Sequence, residues 1–240
     1  MAANALHFLA PLENPGGGVA VLDALARMIE QAGLGVGDRL PPEVALAAQL
    51  GVGRSTLREA LNRWEGLGII RRRRGDGTYL SARAQTSQGA VPTMIRLEGE
   101  ALLRLLEVRR ALENAAVRKA AQKASLAQKA QIDRLCDALL ATVEAGESYR
   151  AADWAYHGAI YDASGNPMFG QILTRLDEMF ERSAESPFSR SGFGLQSFPL
   201  HRDLTDGIVA GDPDRAAVAI NAIIDTVEQE IRVIIGLSPT

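Results

Sequence analysis

The stretch Gly51-Val52-Gly53-Arg54-Ser55-Thr56-Leu57-Arg58-Glu59-Ala60-Leu61-Asn62-Arg63-Trp64 decides how the chain is read. Gly51-Val52-Gly53 reads as a tight turn, and Leu57, Ala60, Leu61 and Trp64 then recur at i, i+3, i+4 and i+7. That period puts them on one buried stripe of a helix from about Arg54 to Leu67. Arg54, Ser55, Arg58 and Asn62 fall largely on its other faces. Upstream, Gly35, Gly37 and Pro41-Pro42 form a turn, and Glu43 opens a short helix through Leu50. Before these, Leu22, Leu25, Ala26 and Ile29 keep helical spacing from Val19 until Gly33. Downstream, two β-like segments, Ile69–Arg73 and Thr78–Ser81, are joined by Arg74-Gly75-Asp76-Gly77. Asp-Gly between short strands signals a hairpin.

Two helices across a glycine turn, followed by a hairpin, is the order of a winged helix-turn-helix. Its second helix would bury one face on its partner and offer basic and small polar groups near its N-terminus to a DNA groove. Arg71–Arg74 and the Gly75–Gly77 tip would bring a cationic wing to phosphates or a minor groove. Charge agrees: the net charge of −3 conceals eight Arg against three acids within 50–84, whereas 85–240 carries sixteen basic and twenty-one acidic residues. All three lysines, Lys119, Lys123 and Lys129, lie in the second part, so the first depends on guanidinium, whose planar fork suits phosphate and guanine edges. The competing reading is a small helical domain with a solvated basic edge.

The remainder reads as helix. Residues 1–18, with Pro11, Pro15 and Gly16-Gly17-Gly18, are expected as a flexible arm, 19–81 as the winged domain, and 82–97 as a polar linker. From 98 to 236 the expectation is an all-helical antiparallel bundle, with spans near 98–123, 125–145, 148–163, 167–184, 196–210 and 213–235. The fold class is therefore mainly α, with one small β-hairpin wing. At 240 residues and 47% hydrophobic content the chain can bury a core unaided, and 5% aromatics argues against a β-sandwich. Cys136 is the single cysteine, which excludes an internal disulfide framework and a cysteine zinc cage. No apolar run reaches the ~20 residues of a membrane span, and no signal peptide is expected, so the expected location is cytoplasmic.

Within the helical part, Asp153 and His157 stand i, i+4 apart, so their side chains point the same way and could share a metal. His201 lies on a later helix. A surface Asp–His hydrogen bond accounts for the same spacing. Arg109 could pair with Glu113 one turn along.

Family motifs sharpen this. Gly35-Val36-Gly37-Asp38-Arg39-Leu40-Pro41-Pro42-Glu43, Leu46-Ala47, the opening stretch through Leu61, Gly68-Ile69-Ile70 and Gly75-Asp76-Gly77-Thr78-Tyr79-Leu80 resemble the GntR family of bacterial repressors over about 19–81. The resemblance implies that Arg39, Arg54, Thr56, Arg58 and Gly77 contact double-stranded DNA, with Ser55 beside them. Pro42 and Gly53 stand where that family usually has serine. Leu106–Glu113, Asp153-Trp154-Ala155-Tyr156-His157, Gly165-Asn166-Pro167, and His201 before Ala210-Gly211-Asp212 resemble the FCD effector domain of the FadR subfamily. That likeness implies a homodimer with a small carboxylate effector and a divalent metal (zinc, nickel or manganese) in each bundle. By position, Asp153, His157 and His201 would hold the metal, while Arg109 and Asn166 would serve the effector.

The usual fourth ligand, a histidine, is replaced by Ile223, and Ala219, Ile220 and Val227 one turn away offer no ligand. Either three ligands leave an open position or the site has lost its metal. Two rivals stay open at this stage: a constitutive DNA-binding dimer without effector, and a metalloenzyme built on Asp153, His157 and His201. The absence of an obvious general base and the attached DNA reader speak against the enzyme.

Overall fold

The computed structural model describes residues 5–12, 18–82, 91–181, 188 and 192–237. They fall into two compact units: Met1–Arg104 with Met179–Ser189 and Ile231–Pro239, and Leu105–Glu178 with Arg190–Glu230.

The first unit holds α1 (Gly18–Gln31), α2 (Glu43–Leu50), α3 (Arg54–Gly66), β1 (Ile70–Arg73) and β2 (Gly77–Leu80). It also contains the start of α4 (Thr93–Lys123). Leu57, Ala60, Leu61 and Trp64 of α3 are buried, as their spacing requires, against Val21, Leu22, Leu25 and Ile29 of α1 and Leu46 and Leu50 of α2. Gly51 turns α2 into α3 with φ 71°, and its N–H closes on the carbonyls of Ala47 and Ala48. A left-handed residue here favours glycine, which lacks the Cβ that would clash. The strands pair antiparallel from Ile70↔Leu80 to Arg73↔Gly77, and Arg39 adds a bridge to Tyr79.

Three boundaries differ from the sequence reading. Residues 5–12 of the expected arm are docked: Ala5 and Leu9 are buried, and Leu6–Phe8 form a 3-10 turn. The Leu12 N–H donates to the Leu50 carbonyl, and Gln49 donates to that of Leu9. Composition suggested a tail, yet Leu6, Leu9 and Leu12 at three-residue spacing supply an apolar edge. Helix α4 begins at Thr93, inside the expected linker, because Met94, Leu97 and Ala101 bury one stripe. Residues 83–90 of that linker, and 1–4 and 13–17 of the arm, lie outside the described residues. Finally, the helix expected from 196 starts at Leu200 after a 3-10 turn over Leu195–Ser197.

The second unit comprises the rest of α4 with α5 (Leu126–Glu144), α6 (Arg150–Ala163), α7 (Pro167–Glu181), α8 (Leu200–Ala210) and most of α9 (Pro213–Ile234). Helix α5 opens with a capping box in which Ser125 and Gln128 satisfy each other's backbone N–H. Helices α8 and α9 meet at a tight turn. Gly211 has φ 74°, and the Asp212 carboxylate accepts from the N–H groups of Asp214 and Arg215. Behind that turn, a Cβ on Gly207 would stand 2.7 Å from the Ala216 backbone nitrogen, so the two backbones touch there. The bundle core includes Ile132, Cys136, Leu139, Tyr156, Ile160, Leu204 and Ile208. Among the described residues no helix is long and apolar enough to cross a membrane.

Candidate functional site

In the first unit, α3 displays Arg54, Ser55 and Arg58 exposed and Thr56 half-buried, the faces its burial stripe leaves free. Arg39 reaches the wing, where it donates to the Asp76 carbonyl. Its guanidinium lies against Gly77, where an added Cβ would stand 2.5 Å from Arg39 Nε. The absent side chain at Gly77 is thus what allows Arg39 and the wing tip to meet. A groove of about 370 Å³ runs beside them, lined among others by Pro42, Glu43, Arg74 and Gly75.

The four wing arginines are not equivalent, contrary to the reading that aimed all of them at DNA. Arg71 and Arg74 are exposed. Arg73 packs its guanidinium 4.7 Å over the Tyr79 ring and lies 3.7 Å from Asp76. Arg72 turns inward and is held by Glu43, Arg58, Asn62 and Glu65. Alternation along a strand sends Arg72 to the opposite face from its two neighbours.

In the second unit, Asp153 and His157 on α6 meet His201 at the start of α8. The two Nε2 atoms are 3.3 Å apart, and Asp153 Oδ1 lies 3.7 Å from His157 Nε2 and 3.6 Å from His201 Nε2. The imidazoles are 12% and 3% exposed, respectively. His201 Nδ1 lies 3.2 Å and 3.1 Å from the carbonyls of Ser197 and Phe198. Carbonyls only accept, so Nδ1 carries the proton, and in the neutral ring Nε2 presents its lone pair to the cluster. Phe198 stacks on the same ring at 5.2 Å, and Tyr156 donates to the backbone carbonyl of His201.

Burial pushes the His157 imidazole below its usual range, more than Asp153 and Glu113 raise it, which favours the neutral ring a metal ligand needs. Burial alone would raise the Asp153 carboxyl, but His157, His201 and Arg109 together hold it below the ordinary carboxylate range. Three donors about 2.1 Å from a tetrahedral ion stand about 3.4 Å apart, so this triangle suits zinc-like coordination with a fourth position to spare. Among the described residues no fourth His, Cys, Asp or Glu joins the group. Ile223 is buried, and Asn221 is engaged elsewhere, accepting from Arg110 and Asn114.

Arg109 is half-buried beside two carboxylates. It donates to Glu113 at 2.9 Å and also pairs with Asp177, while the Tyr161 hydroxyl donates to Glu113 at 2.8 Å. Burial opposes its charge, yet Asp177 and Glu113 outweigh that and keep the guanidinium firmly protonated. The Glu113 partner is the one the helix spacing offered. Asp177 and Tyr161 were missed, since α4, α6 and α7 meet only in the tertiary fold. Asn166 is exposed, and its Oδ1 accepts from the Met168 N–H at the start of α7. Its side chain is therefore occupied as a helix cap.

A winged helix with a guanidinium-rich reading face, joined in one chain to a helical bundle that gathers His, Asp and Arg side chains, defines a DNA-binding transcriptional regulator. Residues 18–80 match the family described as bacterial regulatory proteins, gntR family, and 104–226 match the FCD domain. The regulator LutR of Bacillus subtilis (strain 168) is 32% identical over 211 residues, covering 84% of this chain and 94% of its own length. The putative L-lactate dehydrogenase operon regulatory protein of Escherichia coli (strain K12) is 31% identical, covering 84% of this chain and 81% of itself. A solved Streptococcus agalactiae GntR structure is 24% identical, with a TM-score of 0.46 over 89% of this chain and 99% of that one. The chain belongs to the GntR family and carries an FCD domain, in the FadR-like branch. Its relatives are transcriptional regulators, and the metalloenzyme reading is set aside.

Proposed function

We propose that the protein is a dimeric repressor that binds two half-sites of a palindromic operator and releases them when a small organic acid enters the FCD unit. Arg54 and Arg58 would contact base edges or adjacent phosphates from α3, with Ser55 and Thr56 beside them, and Arg39 and Gly77 would seat the wing. Asp153, His157 and His201 would hold a divalent ion, which when bound offers a carboxylate or hydroxyl a coordination position. Arg109 would take part of the same acid through its fork by exchanging it for Asp177 or Glu113, the two carboxylates it otherwise holds. The observation that carries the reading is the triangle of two Nε2 atoms and one carboxylate oxygen, with His201 oriented by the Ser197 and Phe198 carbonyls. The name of the Escherichia coli relative makes L-lactate the first acid to try.

Control of this kind requires the acid to bind the released form more tightly than the operator-bound form. The test measures metal in protein purified without added metal or chelator, beside His157→Ala and His201→Ala, and then operator affinity with and without L-lactate and related short acids. About one equivalent of metal in the parent, lost in both variants, with operator affinity lowered by one acid, is the expected result. Metal-free parent protein after incubation with zinc, nickel or manganese refutes the metal assignment. Operator binding indifferent to every acid leaves a constitutive DNA-binding dimer.

A further inference from the structure

The wing bears four successive arginines on a DNA-binding unit, but one, half-buried, is spent on the protein's own groups. Arg72, in the middle of β1, donates through Nη1 to Asn62 Oδ1 at 2.5 Å and through Nη2 to the Arg58 carbonyl at 3.3 Å. Its Nε lies 3.3 Å from Glu43 Oε1, and Nη1 lies 3.5 Å from Glu65 Oε2. Its own backbone N–H donates to Glu65 Oε1 at 2.9 Å. These partners come from the first residue of α2 and from successive turns of α3, while Arg72 itself stands on the wing. Arg58 and Asn62 lie on the recognition helix, so the guanidinium grips that helix at the turn expected to meet DNA.

Glu43 and Glu65 point the same way. Two carboxylates on a surface that must accept phosphates weaken binding by simple charge repulsion. Here both face Arg72, and a cation so matched has little charge left for a phosphate. We propose that Arg72 is a positioning residue for DNA recognition, locking the wing and α2 against the recognition helix so that Arg39, Arg54 and Arg58 reach the operator in one fixed arrangement. A planar fork is needed, because one guanidinium serves Asn62, Arg58, Glu43 and Glu65 at once, and a lysine ammonium cannot span that set.

The test uses the full chain and two duplexes: one selected by the parent protein from a random-sequence pool, and a scrambled duplex of equal length and composition. Arg72→Ala is expected to weaken binding to the selected duplex about tenfold or more, while binding to the scrambled duplex stays within about twofold. Arg72→Lys should fail to restore the selected affinity. Glu65→Ala, which leaves Arg72 in place and removes a half-exposed side chain, should also weaken selected binding although it deletes a negative charge. In Arg72→Ala/Glu65→Ala the loss should be no greater than in Arg72→Ala alone. Equal losses on both duplexes in Arg72→Ala would make it a phosphate contact and overturn the proposal. Tighter binding by Glu65→Ala would do the same, as would unchanged affinity in both single variants.

Discussion

Replacing Gly207 by alanine sets two physical effects of opposite sign against each other. In an exposed helix interior, Gly→Ala stabilises by about 1 kcal/mol, because glycine loses more backbone freedom on folding. Gly207 lies inside α8, and its added Cβ would stand 2.7 Å from the Ala216 nitrogen, 2.9 Å from Ala216 Cα and 3.1 Å from the Arg215 carbonyl carbon. All three are backbone atoms of α9, so no side-chain rotation relieves them. Ordinary contact near 3.5 Å requires α8 and α9 to part by about 0.8 Å. Overpacking of this kind costs about 2–3 kcal/mol, the upper part of the usual range. The net expectation is a loss of about 1–2 kcal/mol, or a Tm lower by roughly 2–8 °C in a protein of this size. Gly158 in α6 is the control, since a Cβ there meets nothing within 4 Å. Gly158→Ala should be neutral or stabilising by up to about 1 kcal/mol. Urea and thermal unfolding of both variants decide the matter. If Gly207→Ala proves as stable as Gly158→Ala, the close approach of α8 and α9 is wrong.

Gly77→Ala should push Arg39 off the wing tip, where its Nε would otherwise lie 2.5 Å from the new methyl, and weaken operator binding about tenfold in an anisotropy titration. Arg63 and Glu98 form an ion pair at 2.6 Å with side chains 11% and 1% exposed. Arg63→Ala is therefore expected to cost about 3–5 kcal/mol in urea unfolding, while Arg63→Met/Glu98→Leu recovers most of the loss. The Tyr156 and Tyr161 phenols are raised above the ordinary tyrosine range, in both by burial and in Tyr161 also by Glu113. Because the folded values exceed the unfolded ~10, their contribution is complete below pH 10 and is lost as pH rises beyond it. The fall in urea midpoint between pH 10 and 12 should be shallower in Tyr156→Phe and Tyr161→Phe.

Most of the architecture was legible because it rests on local rules. The stripe Leu57, Ala60, Leu61, Trp64, the Asp-Gly tip and the glycine stops at Gly51 and Gly211 each act within a few residues, and each is found where expected. Spacing alone made the His–Asp cluster half legible: i, i+4 joins Asp153 to His157, whereas His201 was named only by the family motif and is reached across the packing of α6 and α8. What could not be read was how charges divide in three dimensions. Nothing in Arg71-Arg72-Arg73-Arg74 says which guanidinium turns inward, since that depends on Glu43, Asn62 and Glu65 arriving from two helices. Likewise Asp177 becomes a partner of Arg109 only once α7 is folded beside α4. Residues 5–12 and 93–97 were misjudged because short apolar edges beside prolines read as loop when their docking surface is unknown.

The docked N-terminal segment has a practical outcome for anyone cutting the protein into pieces. The family match begins at residue 18, and a fragment started there would look complete by sequence. It would lack Leu9 and Ala5, both of which are buried in the same apolar cluster as α1 and α2. Losing those two side chains costs about 2–3 kcal/mol and uncovers the seam they seal. It would also free the Leu50 carbonyl, which accepts from Leu12 at the end of the helix that precedes the recognition turn. The unit that folds is thus longer than the unit that is inherited as a recognisable module, and an isolated DNA-reading fragment should be started before Ala5.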